Sequence, residues 1–146
     1  MNKITDILKD NMMQYATYTI HDRALVSVED AMKPVHRRIL WTMNLEKATK
    51  FTKSGNITGQ VFKVHPHGNT YRTLVNMTQE DKQNHPLIIG KGNFAQHTSK
   101  ELQPAAERYT ECKLSDISLT MLSGIKKKMV NMIPNYDGTM LIPEYL

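Results

Sequence analysis

An α+β fold, mainly helical, is what this sequence predicts, and three patterns carry the prediction. Apolar residues recur at helical spacing through the first half of the chain, two short helical segments there are parted by His65-Pro66-His67-Gly68, and short runs suited to strands begin only after Pro86. Taken in order, the first element is a helix from about Asn2 to Ile20, where Ile4, Ile7, Leu8, Met12 and Tyr15 form one stripe. Such a stripe docks either on its own domain or on another chain, and the pattern is the same for both. After Leu25, Ser27-Val28-Glu29-Asp30 offers capping side chains and Pro34 suits a first helical turn, so a second helix runs from about Pro34 to Asn44 with Val35, Ile39 and Met43 inward. His36, Arg37 and Arg38 then lie near its N-terminus, where free backbone N–H groups favour anions.

Ser54 is placed to cap a third helix bearing Ile57, Val61 and Val64, which Pro66 and Gly68 end. A fourth, capped by Asn69 or Thr70, turns Tyr71, Leu74, Val75 and Thr78 inward up to about Gln79. Leu87-Ile88-Ile89 reads as a buried strand and Gly90-Lys91-Gly92-Asn93 as a turn with main-chain donors. Residues 95–104 read as an irregular loop, Arg108 to Leu114 as a strand, Ser115 to Leu122 as a helix and Met129 to Ile133 as a strand. Helices, then a helix-turn-helix, then strands is the order of a winged-helix domain.

Composition narrows the class. A chain of 146 residues, 40% hydrophobic and 23% charged, buries enough surface to fold as one domain without a disulfide, and Cys112 has no partner to form one. No apolar run approaches the ~20 residues of a membrane span and no signal peptide pattern opens the chain, so the expectation is a cytoplasmic protein with no membrane partner. Between Ala31 and Thr73 stand Lys33, Arg37, Arg38, Lys47, Lys50, Lys53, Lys63 and Arg72 against Glu46 alone, a net of +7 in a chain whose total is +5. The excess positive charge is thus confined to one stretch, which favours a polyanion such as nucleic acid over a merely solvated face. His65 and His67 have no cysteine or carboxylate close in sequence to complete a zinc site, and read better as turn residues facing phosphate.

Six motifs then follow one another: Arg23-Ala24-Leu25, Lys33-Pro34-Val35-His36-Arg37-Arg38, His65-Pro66-His67-Gly68, Gly92-Asn93-Phe94, Arg108-Tyr109-Thr110-Glu111 and Asn135-Tyr136-Asp137-Gly138. In this order and near this spacing they closely resemble the breakage-reunion (A) subunits of type IIA DNA topoisomerases, those of bacterial gyrase and topoisomerase IV. The resemblance covers about Met13 to Pro143. It implies a winged-helix domain of the catabolite-activator type at 29–146, preceded by an N-terminal helical arm at 1–28 that contacts the B subunit. It also implies a larger parent, since the family's subunits continue into a tower and a coiled-coil gate.

By the same resemblance Tyr109 is the nucleophile that joins a DNA 5′ phosphate, and Arg108 steadies the charge on phosphorus. Arg23, Lys33, His36, Arg37, Arg38, His65, His67, Thr70, Arg72 and Lys91 are the expected contacts to double-stranded DNA. Magnesium and ATP are expected through the partner B subunit, with no cofactor bound by this chain, and a homodimer is implied because two strands need two tyrosines; the setting is the nucleoid. If Arg108 and Tyr109 lie on a strand, their side chains point to opposite faces, and a bend is needed to aim both at one phosphate. The stretch Asn69-Thr70-Tyr71-Arg72 is two residues shorter than the family's, with Arg72 where an acid is expected, which predicts weak quinolone response. The alternative reading is a non-catalytic winged-helix DNA binder, or a decoy that captures the B subunit.

Overall fold

The computed structural model describes residues 4–66, 70–95, 103–127 and 129–146. His67, Gly68 and Asn69, most of the expected 95–104 loop and the first residues of the arm lie outside them. Helix α1 (Ile4–Thr19) passes into a π-helical turn at Ile20–Ala24, closed by the Leu25 N–H on the Ile20 carbonyl at 3.1 Å. The apolar stripe of α1 is fully formed, yet none of its residues is buried: Ile4, Ile7, Leu8, Met12 and Tyr15 all face solvent.

The core begins with Met32 and α2 (Pro34–Leu45), whose Ile39, Leu40 and Met43 are closed off from solvent. Pro34 opens that helix as expected, but the cap does not form: Lys33, which carries no acceptor, occupies the N-cap position. Asp30 turns instead to the Met32 N–H at 2.9 Å. Strand β1 (Thr52–Lys53) leads into α3 (Ser54–Val64), and α4 (Tyr71–Thr78) follows after the His-Pro turn. Ile57, Val61 and Val64 are buried as the spacing predicts.

Ser54 is the first residue inside α3 rather than its cap, and its hydroxyl accepts from Thr110 at 2.8 Å. In α4 the buried set is Tyr71, Leu74, Val75 and Met77. Thr78 is only half-buried, because this two-turn helix packs against both α2 and the sheet and so hides a wider face than one stripe.

Strand β2 (Ile88–Lys91) pairs antiparallel with β3 (Glu111–Leu114), which pairs on its other side with β1, giving the sheet order β1-β3-β2. Gly90 therefore belongs to a strand and not to the turn. A side chain there would meet the Phe94 ring at 2.7 Å, and the turn itself falls on Gly92, whose φ of +110° suits glycine. The expected strand from Arg108 begins only at Glu111. Helix α5 (Asp116–Lys126) is capped by the Ser115 hydroxyl on the Ser118 N–H and runs beyond the expected end at Leu122. Met132–Pro134 (β4) forms a hairpin with Leu141–Pro143 (β5), a partner the single strand expected at 129–133 did not reveal.

The succession α2, β1, α3, α4, β2, β3, with the outer strands both on β3, is a winged helix: α3 and α4 form the helix-turn-helix, and β2 and β3 bound the wing. The α+β, mainly helical expectation holds. Among the described residues no helix is long and apolar enough to cross a membrane.

Candidate nucleic-acid interface

The wing returns to the sheet through a tight turn in which the Tyr109 N–H bonds the Ala106 carbonyl at 2.9 Å. This turn is why the strand starts late, and it is the bend that a shared target for Arg108 and Tyr109 requires. The two side chains come together: the Arg108 guanidinium lies 4.8 Å from the centre of the Tyr109 ring, and Tyr109 remains 66% exposed.

Both flanks of the pair are tied to the first turn of α3. On one side the Ser54 N–H bonds the Thr110 carbonyl at 3.0 Å, and the Thr110 hydroxyl bonds the Ser54 oxygen. On the other the Gly55 N–H bonds the Glu107 carbonyl at 3.2 Å, and the Thr58 hydroxyl donates to Glu107 Oε2 at 2.7 Å. The Tyr71 hydroxyl, from α4, donates to the Ala105 carbonyl at 2.6 Å and lies 3.0 Å from the Thr110 hydroxyl. Two exposed residues thus stand on a buried polar base. Sequence reasoning missed Ser54, Thr58, Tyr71 and Glu107 in this role, since their partners lie up to 56 positions away and no local pattern marks them.

Lys91 is exposed and sits at the end of β2 rather than in the expected turn. It shares Glu111 with Lys53, at 3.4 and 3.0 Å, and both Lys91 and Lys113 approach the Phe51 ring. The Lys53 hydrogen bond and charge, with Lys91 adding to them, hold the Glu111 carboxyl below its usual range.

The start of α2 is different. Arg37 is engaged within the fold: its Nε bonds Asp30 Oδ2 at 2.8 Å and its Nη2 reaches Asp30 Oδ1 at 3.0 Å and the Ser27 hydroxyl at 2.7 Å. Its side chain is 12% exposed and that of Asp30 not at all. Burial alone would raise the Asp30 carboxyl, but the bonds from Arg37 and from the Met32 and Leu146 N–H groups outweigh it and hold the carboxyl below the ordinary range. The pair ties the loop before α2, the helix and the last residue together.

Arg38 is mostly covered and stands 3.9 Å from Asp22. His36 is half-buried, and burial, reinforced by Lys33, lowers its pKa. Arg23, Lys33 and Arg72 are exposed. Thr70 is buried at the start of α4, and its hydroxyl makes no cap hydrogen bond there.

His65, at the end of α3, meets the Tyr136 ring edge to face at 5.8 Å, and Asn135 beside it bonds the Val64 carbonyl. The motif at 135–138 therefore buttresses the His-Pro turn. The 11 residues of α3 separate this end from the Tyr109 turn by roughly 15 Å along the helix axis, so the chain does not gather every expected contact around one point. Among the described residues no three His, Cys, Asp or Glu side chains converge as a metal site. Cys112 is buried, and burial pushes its thiol up to about 11, which makes it a core residue and not a nucleophile.

Fold and wing together define a winged-helix domain that presents an arginine–tyrosine pair on a braced turn. Residues 23–146 match the family model of the DNA gyrase/topoisomerase IV A subunit, and the chain belongs to that family. It is 41% identical to the DNA gyrase A subunit of Haemophilus influenzae and 42% identical to that of Thermotoga maritima, in each case over 98% of this chain and less than a fifth of the relative (17% and 18%). Against the Spiroplasma citri protein of the same name the identity is 40%, over 98% of this chain and 65% of that sequence.

Proposed function

We propose that this chain is the DNA-binding and cleavage domain of a type IIA topoisomerase, with Tyr109 as nucleophile and Arg108 as its electrostatic partner. The carrying observation is the exposed Tyr109 ring under the Arg108 guanidinium on a turn fixed from both sides. The Tyr109 hydroxyl gives up its proton and its oxygen bonds the backbone phosphorus; the bond from phosphorus to the 3′ oxygen breaks, and that oxygen takes a proton. One phosphodiester replaces another, so the reverse attack by the 3′ hydroxyl reseals the strand and restores the phenol. Arg108, within reach of the same phosphate, counters the added charge on phosphorus.

Arg23, Lys33, Arg38, His65, Arg72 and Lys91 hold the duplex through its phosphates, without reading sequence. The described residues offer no donor set for magnesium, and no step above uses a metal held by this chain. Magnesium and ATP enter with the B subunit, and two copies of the domain cut the two strands.

The test mixes the chain with a B subunit, magnesium and supercoiled plasmid, denatures with detergent and asks whether protein stays on 5′ ends. Attachment that vanishes in Tyr109→Phe while duplex binding persists is the expected result. No attachment by the unmutated chain, with duplex binding intact, establishes the non-catalytic binder instead.

A further inference from the structure

We propose that Glu107 is a positioning residue for Tyr109, acting through Thr58. The inference rests on Tyr109 being the nucleophile. The motif read from the sequence starts at Arg108 and assigns nothing to the residue before it. In the structure that residue is the upstream anchor of the reactive turn: its carbonyl accepts from the Gly55 N–H at 3.2 Å and its Oε2 from the Thr58 hydroxyl at 2.7 Å. Thr58 also lies 3.1 Å from the Gly55 carbonyl, so it is held against the same first turn of α3.

The carboxylate thus sits beside the first turn of an 11-residue helix and is only half-buried. Downstream, Thr110 is held by Ser54 of the same turn. Arg108 and Tyr109 are the only residues between these two anchors. Removing the Glu107 side chain keeps the Gly55–Glu107 backbone bond and the Thr110 anchor but loosens the upstream side of the turn. In-line attack tolerates little of this, since a displacement of about 1 Å costs on the order of a hundredfold in rate.

The experiment compares Glu107→Ala, Thr58→Val, the double variant and Glu107→Gln, whose amide oxygen still accepts from Thr58. Each is the full chain with the B subunit, magnesium and plasmid; the rate of adduct formation at saturating DNA and the duplex Kd are read separately. Glu107→Ala and Thr58→Val should each slow adduct formation about tenfold or more with Kd within about twofold. The double variant should be no slower than either single change, and Glu107→Gln should stay within about threefold of the unmutated chain.

An unchanged rate in Glu107→Ala overturns the inference while leaving Tyr109 in place. So does a rate loss matched by an equal loss of duplex binding, or Glu107→Gln as slow as Glu107→Ala. Should Glu107→Ala fail to fold, Thr58→Val and Glu107→Gln carry the same comparison. If the unmutated chain forms no adduct, the nucleophile assignment falls, and this one with it.

Discussion

Arg37 and Arg108 both belong to motifs of the family, both sit beside another functional candidate, and the fold treats them in opposite ways. Arg37 is enclosed, with Asp30 and Ser27 taking its donors, and its charge closes the domain. Arg108 is exposed, stacked on Tyr109 and supported only from beneath. The difference teaches that a motif arginine is spent on the fold where the surrounding chain encloses it with a carboxylate, and stays exposed where the chain does not. Near α2 it supplies Asp30; at the wing turn the nearest anchoring carboxylate, Glu107, is engaged by Thr58.

The largest effect that would test this contrast is on stability. Arg37→Ala strands a carboxylate with no solvent exposure and should destabilise the fold by about 3–5 kcal/mol, whereas Arg108→Ala should cost no more than about 0.5 kcal/mol. Urea unfolding of the two variants reads this directly, and equal losses would erase the distinction. Next comes Tyr71→Phe, which removes the hydroxyl bridging Ala105 and Thr110 and should cost about 1–2 kcal/mol without changing the secondary structure seen by circular dichroism. A loss as small as that of Arg108→Ala would mean that the polar base of the turn is not structural.

The smallest effect is in acid. His36 binds its proton less readily folded than unfolded, so its contribution to stability is whole above about pH 6.5 and shrinks as pH falls below that value. Asp30, held below its ordinary 3.8, contributes above that value and loses its contribution as pH drops through the lower folded one. Stability against pH should therefore fall in two stages. His36→Gln should remove the first stage and Arg108→Ala should leave both. Sensitivity that moved with Arg108 would place it on the wrong region.

Much of the fold was legible from local patterns. Helical spacing marked Ile57, Val61 and Val64 on α3 and Ile39 and Met43 on α2, and each is buried, because a helix repeats its inward face every three to four residues regardless of what covers it. The same rule explains the limit at α1: its stripe is as clear as the others, and none of the described residues covers it. Spacing shows that a face exists, while burial needs a second surface. The strand read from Arg108 failed for a related reason. Arg108 to Leu114 suits a strand by composition, but pairing starts only where β2 ends and where the turn is not held back by α3.

The sequence by itself determined the mainly helical α+β order, the winged-helix succession, the concentration of positive charge and the motifs that place the chain in its family. These depend on neighbours within a few residues or on the linear order of motifs, and both survive without a fold. Only the tertiary structure decided that Arg37 is engaged by Asp30 and that Glu107, Thr58, Ser54 and Tyr71 brace the turn under Arg108 and Tyr109. Those outcomes rest on hydrogen bonds between groups 7 to 56 positions apart. A charge or hydroxyl is free or spent according to what the folded chain brings within about 3 Å of it, and no local pattern encodes that distance.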